Sequence, residues 1–304
     1  MGAGMAASAV ISRRTLLAAA AAAPLVGAGR WSHAAEGDDA LWIWETPAAE
    51  WREAADFAAR LGFRTVFLSI PPADRGGFFR EPSALDRALA PYVAAGLTVW
   101  LAAGDPKWAL AERTPAPLAA LLRASGASAA ATGLYLDVEP HVLPEWKSRD
   151  AVARARLAAG TASLLRNVRK ELSPAKALGC VLHPSFAGTA FDDPGKGSVD
   201  MAAALLAASD EVALMAYRNT PQATAAFAAK LLDRLDARPK PWRFGLTVSG
   251  GQARENISYD KADWPGMRAD MTALALLAQG RGAGPWFKGS AVNAYRPLRA
   301  MIER

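Results

Sequence analysis

Gly133-Leu134-Tyr135-Leu136-Asp137-Val138-Glu139-Pro140-His141 carries two carboxylates where a buried strand would ordinarily place valine or isoleucine. Its apolar start has strand character, and side chains along a strand alternate between faces. Tyr135, Asp137 and Glu139 therefore fall on one side, and Leu134, Leu136 and Val138 on the other. A carboxylate buried without partners is costly, so a strand with two on one face must pair them or open them onto a cleft. Two acids at a strand end opening onto a cleft suit proton-transfer chemistry, one as general acid and the other as its support.

Working outward, strand-like apolar runs recur at 41–45, 65–70, 98–102, 133–139, 178–183, 212–217, 243–248 and 289–295. Helix-like segments rich in Ala, Leu and Arg lie between them, at 48–61, 82–95, 115–124, 150–172, 199–208, 221–237 and 266–279, with a closing one at 297–304. Eight strand-helix units in roughly 270 residues predict an α/β fold of the (β/α)8 TIM-barrel type, as one domain spanning 35–304. An open doubly wound sheet is the alternative, but no Gly-x-Gly-x-x-Gly turn follows the first strand to favour its nucleotide-binding forms. Long connections follow strands four, five and seven, on the rim where barrels build their sites.

The first 34 residues read differently. Ser12-Arg13-Arg14-Thr15-Leu16-Leu17 precedes an Ala-rich apolar run, the pattern of a twin-arginine export signal with cleavage near Ala34. The run is too short and wrongly flanked for a stable membrane span, so the expected location is the periplasm or the exterior. The signal contains Arg13, Arg14 and Arg30 and no acid, so removing it lowers the formal charge from +6 to roughly +3. The basic balance is thus partly a targeting feature, and no run of Lys and Arg interleaved with aromatics points to a nucleic-acid partner. Cys180, the single cysteine of the 304-residue chain, excludes an intramolecular disulfide and sits in an apolar run as a small hydrophobe. Three histidines far apart make no zinc-binding pattern, no Gly-x-Ser-x-Gly elbow is present, and no motif for a cofactor is found.

The sixth strand ends Leu214-Met215-Ala216-Tyr217-Arg218, placing Met215 and Tyr217 on one face. An Asp-x-Glu ending the fourth strand and a Met-x-Tyr ending the sixth, in a barrel of this size, resemble the family 18 glycoside hydrolases, the chitinase-like enzymes. That family carries Asp-Gly-x-Asp-x-Asp-x-Glu on its fourth strand. Its last Glu is the general acid, and its last Asp supports a substrate N-acetyl group acting as nucleophile. Gly133, Asp137 and Glu139 match this pattern, while Thr132 and Tyr135 stand where the family has further aspartates. Met215 and Tyr217 match on strand six, Arg218 replaces an aspartate common there, and Tyr295 is the nearest match to a tryptophan near the end of strand eight. The resemblance implies a hydrolase of glycosidic bonds with Glu139 as acid, Asp137 as its partner, and Tyr217 and Met215 lining the subsite of the reacting sugar.

Further residues could meet a polysaccharide or oligosaccharide at the same rim. Glu45, ending Trp42-Ile43-Trp44-Glu45, is a candidate second carboxylate, and Asp105 before Pro106 reads more readily as a turn former. His183, Asn293 and Tyr295 close strands five and eight and would supply hydrogen bonds to hydroxyls. Trp44 and Trp146 are candidate stacking platforms for sugar rings, with Trp146 in the loop beside the acids favoured. Two alternatives share these residues: a carbohydrate-binding protein of the cell envelope that keeps the barrel without turnover, and a hydrolase of a different polymer linkage.

Overall fold

A computed structural model describes residues 37–148, 150–250 and 256–304. The export signal proposed for residues 1–34 lies outside the described residues. Eight parallel strands close into a barrel: β1 (Ala40–Ile43), β2 (Thr65–Ser69), β3 (Thr98–Ala103), β4 (Ala131–Leu136), β5 (Ala177–Leu182), β8 (Glu211–Leu214), β9 (Trp242–Thr247) and β10 (Phe287–Asn293). A hairpin of β6 (Ala190–Asp193) and β7 (Gly197–Asp200) is inserted after β5. The helices are α1 (Trp51–Arg60), α2 (Pro72–Phe78), α3 (Pro82–Ala94), α4 (Ala116–Ala127), α5 (Pro144–Lys147), α6 (Ala151–Glu171), α7 (Met201–Ala208), α8 (Pro221–Ala237), α9 (Trp264–Gly280) and α10 (Tyr295–Ile302). The expected TIM barrel is the observed fold. The expected strands and helices match it to within a few residues, while α2, α5 and the β6–β7 hairpin are additions. Among the described residues no helix is long and apolar enough to cross a membrane.

Strand alternation divides the core into two layers. Outward residues such as Leu41, Ile43, Val66, Leu68, Leu134, Leu136, Leu178 and Leu182 pack beneath the helices. Inward residues Trp42, Phe67, Trp100 and Tyr135 form an aromatic plug, with Phe67 and Tyr135 ring centroids 4.1 Å apart and Trp42 and Phe67 at 4.5 Å. Gly179 on the neighbouring strand makes room for this plug, since a Cβ there would come within 2.4 Å of the Tyr135 ring. Below the plug, at the N-terminal ends of the strands, Arg243 is wholly buried. Its Nε donates to Glu211 at 2.7 Å and its Nη2 to Asp38 at 2.9 Å. A buried charge is tolerated only when paired and hydrogen-bonded, and here both ends of the guanidinium are engaged.

Four strands, β1, β4, β8 and β10, stop two or more residues earlier than their sequence suggests, and two of these carry the candidate acids and their neighbours. Regular β4 pairing ends at Leu136 and regular β8 at Leu214, so Asp137, Glu139, Met215 and Tyr217 stand just beyond the strands they were expected to close. The pairing fades in steps: Asp137 N still donates to Ala103 O at 2.9 Å, and Met215 N to Leu182 O at 2.8 Å. Pro140, which has no N–H, then turns the chain into a 3-10 segment, Pro140–Val142.

Candidate active site

The acids lie at the C-terminal mouth, above the aromatic plug. Asp137 is held there by a close backbone approach from β3. A Cβ on Gly104 would meet the Asp137 carbonyl oxygen at 1.9 Å and its carbon at 2.6 Å, so only glycine fits opposite it. Asp137 Oδ1 is shielded from solvent and has no hydrogen-bond partner. Burial, with a smaller contribution from the Glu139 charge, holds the Asp137 carboxyl well above the usual carboxylate range. Glu139 is half-buried, and burial raises its carboxyl too. Neither carboxylate forms an ion pair or hydrogen bond among the described residues. Two neighbouring acids without a cation between them resist double ionisation, so the pair retains a proton into the pH range where isolated carboxylates have lost theirs.

Tyr217 faces this pair. Burial, then the charges of Asp137 and Glu139, push its phenol far up, so it stays a neutral hydroxyl. Asn293 stands beside it, and the orientation of that amide is fixed from the other side. Trp44 Nε1 can only donate and does so to Asn293 Oδ1 at 3.1 Å. The Asn293 NH2 is therefore the group turned toward Tyr217. Met215 is buried in the inner cluster with Trp42 and Tyr135, as a wall beside them. Gly245 gives Tyr217 its space, since a Cβ there would stand 3.2 Å from the ring.

Trp44 stacks on Trp42 with centroids 5.0 Å apart and planes at 10°, and is half-exposed. It opens on a cleft of about 460 Å³ lined by Trp44, Glu45, Ser249, Asn293, Ala294, Arg296 and Pro297. Glu45 is exposed and has a φ of 48°, the left-handed conformation that favours glycine. Of the acids, Glu139 is the one whose charge adds to the burial that raises Asp137.

His183 and His141 stack as parallel rings, centroids 3.9 Å apart at 13°. Burial depresses both imidazoles. His141 falls to about 3, helped by His183 and Lys147, and His183 to about 4, helped by Arg218. His183 Nδ1 is engaged with Ser185, whose backbone N–H lies at 3.2 Å and hydroxyl at 2.8 Å, while His141 Nδ1 is buried without a partner. Arg218 lies over the Phe227 ring at 3.7 Å and donates to Tyr217 O. Among the described residues no group of three or more His, Cys, Asp or Glu could hold a metal ion.

Two expected contacts are absent from the mouth. Trp146 is 6% exposed and packs inside the outer layer against Phe186 at 5.6 Å, with Arg154 over its ring, so it offers no face to a ligand. The Leu143-Pro144 step starts α5, and that helix turns the indole under the loop. Tyr295 is 1% exposed and packs edge-on against Phe57. β10 ends at Asn293 and Tyr295 already belongs to α10, so the strand alternation that would have aimed it at the mouth no longer applies. Asp105 caps the Pro106–Leu110 turn by accepting from Lys107 N, as its place before proline suggested. Sequence reasoning missed Gly104 and the pairing of His141 with His183. A glycine directly after a strand was the available signal for the first.

No family model and no curated protein matches this chain. Solved structures do. The spore cortex-lytic enzyme SleL of Bacillus cereus is 12% identical over 88% of this chain and 74% of that one, with a TM-score of 0.51. An endo-beta-N-acetylglucosaminidase from Cordyceps militaris, in apo form, is 13% identical over 84% of this chain and 81% of that one, with a TM-score of 0.50. These likenesses show the barrel. At such identities they carry the fold and not the chemistry.

Proposed function

We propose that the protein is an exported glycoside hydrolase in which Glu139 is the general acid and Asp137 its partner. The observation that carries this reading is the uncompensated acid pair at the mouth: two neighbouring carboxyls, both raised by burial, with no cation or donor among the described residues to justify them structurally. Such pairs are expensive and cluster where proton transfer is needed. A barrel shared with a cortex-lytic enzyme and an endo-beta-N-acetylglucosaminidase agrees with it.

In the proposed reaction the proton retained by the pair is delivered through Glu139, the less deeply buried of the two, to the bridging oxygen between two sugars. The bond from that oxygen to the anomeric carbon breaks, its electron pair leaves with the oxygen, and a hydroxyl forms on the departing sugar. Positive charge gathers at the anomeric carbon, where the Asp137 side of the pair faces it, while the neutral Tyr217 hydroxyl can donate to a carboxylate or substrate oxygen. Water then adds to that carbon and returns a proton to Glu139. Tyr135, in place of an acid, leaves Asp137 with no polar support from below, so the acid pair functions on its own.

Glu139→Gln is expected to fold like the wild type, by circular dichroism and melting temperature, and to lose about 10²–10⁴-fold in kcat on a cleaved glycan. Envelope, capsule and storage polysaccharides screened by reducing-end release would supply that glycan. Cleavage undiminished in the variant would remove the proposal, and tight binding without cleavage by either protein would favour the carbohydrate-binding alternative.

A further inference from the structure

The cleft beside Trp44 contains two charged side chains, and they differ in one respect. Arg296, from α10, is committed to Glu50, with Nη2 at 3.0 and 3.2 Å from the two carboxylate oxygens. Glu45 forms no hydrogen bond or ion pair among the described residues. The other lining groups, Ser249 after β9, Asn293 and Ala294 from the end of β10, and Pro297, bring no charge. Among the described residues the uncommitted charge of the cleft is thus a single carboxylate. It stands next to an indole that has one face covered by Trp42 and its N–H edge tied to Asn293. What remains of that ring lines the cleft, rigidly placed. Asn293 in turn joins this cleft to Tyr217 and the acid pair.

An aromatic face with a free carboxylate beside it matches a flat sugar ring that bears a positive charge. The ring stacks on the indole, and an ammonium gains both the cation–π attraction and a charge-assisted hydrogen bond. An anionic sugar would meet Glu45 with no free cation among the described lining residues to offset it. We infer that this cleft is a subsite for a sugar carrying a free amino group, and that the polymer handled at the mouth is rich in de-N-acetylated hexosamine. The inference rests on the proposed function for its setting, and it specifies the substrate class. The subsite places Glu45, at the tight turn closed by the Thr46 hydroxyl on Trp44 O, in direct contact with the ammonium.

The test is calorimetric titration of the Glu139→Gln protein, which binds without turnover, using fully de-N-acetylated chitosan hexamer, its N-acetylated counterpart and cellohexaose. At mildly acidic pH the amine-bearing hexamer is expected to bind at least about tenfold tighter than the other two. That margin should disappear at alkaline pH, where the amines are neutral. In Glu45→Gln the margin should vanish while cellohexaose binding stays unchanged. Equal weakening of all three ligands by Glu45→Gln, an equal affinity for all three, or absence of binding overturns the inference. None of these results bears on whether Glu139 is the acid, which is read separately from cleavage.

Discussion

Asp137 has one carboxylate oxygen sealed from solvent and unpartnered, and its acidity follows from that environment. The folded chain holds this proton more tightly than the unfolded chain does. The favourable contribution is therefore complete below the usual carboxylate range and is lost as pH rises through the raised folded value. Asp137→Asn removes that loss. The fall in melting temperature between about pH 4 and about pH 8 is expected to be smaller in the variant than in the wild type, and an unchanged fall would mean that Asp137 ionises freely. The same residue was legible in the sequence, because a carboxylate at a strand end has few structural uses. Glu139 was legible for the same reason. The neighbour on which Asp137 depends was not, since nothing local to Gly104 announces a carbonyl from the next strand at van der Waals contact.

At the scale of elements, hydrophobic alternation fixed the strands because a barrel strand has a buried face on each side and is punctuated by turns. It therefore also fixed which of Tyr135 and Leu136 points inward. It failed where the ladder stops. Tyr295 and Trp146 were both assigned by extending strand or loop logic into residues that a helix had already claimed, and a helix start re-aims side chains by packing rather than by parity. The junction of β3 and β4 gives the sharpest test at this scale. Gly104→Ala forces the Asp137 carbonyl away. It is expected to destabilise by at least about 1–3 kcal/mol in denaturant titration and to lower kcat as the acid shifts. A variant with native stability and activity would show that this crossing has slack.

Across the whole molecule the polar chemistry is divided between two ends. The mouth keeps uncompensated acids, while the opposite end keeps Arg243 fully paired with Glu211 and Asp38, with Asp39 bound to Ser290 N and Arg268 behind it. Arg243→Met strips Glu211 of its partner in a buried setting. It is expected to cost about 3–5 kcal/mol, largely recovered in the Arg243→Met, Glu211→Leu double variant, as denaturant unfolding would measure. Protein that remains folded should cleave normally, because the plug separates this floor from the acids. A loss of cleavage in the folded double variant would mean that the two ends communicate. The charges at the starts of β8 and β9 were visible in the sequence, but their partnership spans 32 residues of chain and the Asp38 contact 205, distances at which no local pattern operates.

The aromatic plug of Trp42, Phe67, Trp100 and Tyr135 leaves the acids a single doorway. Protons and ligand must share it. Once a long ligand lies across the mouth, exchange with bulk water is hindered from above, and the plug beneath offers only the buried Tyr135 hydroxyl, which has no hydrogen-bond partner to relay through. The number of protons on the Asp137–Glu139 pair is then settled before the ligand lands, by the pH outside, and until it leaves only the reaction itself moves them. An acid loaded in advance in this way delivers one proton per encounter, which makes the outcome of each landing depend on the state of the empty site.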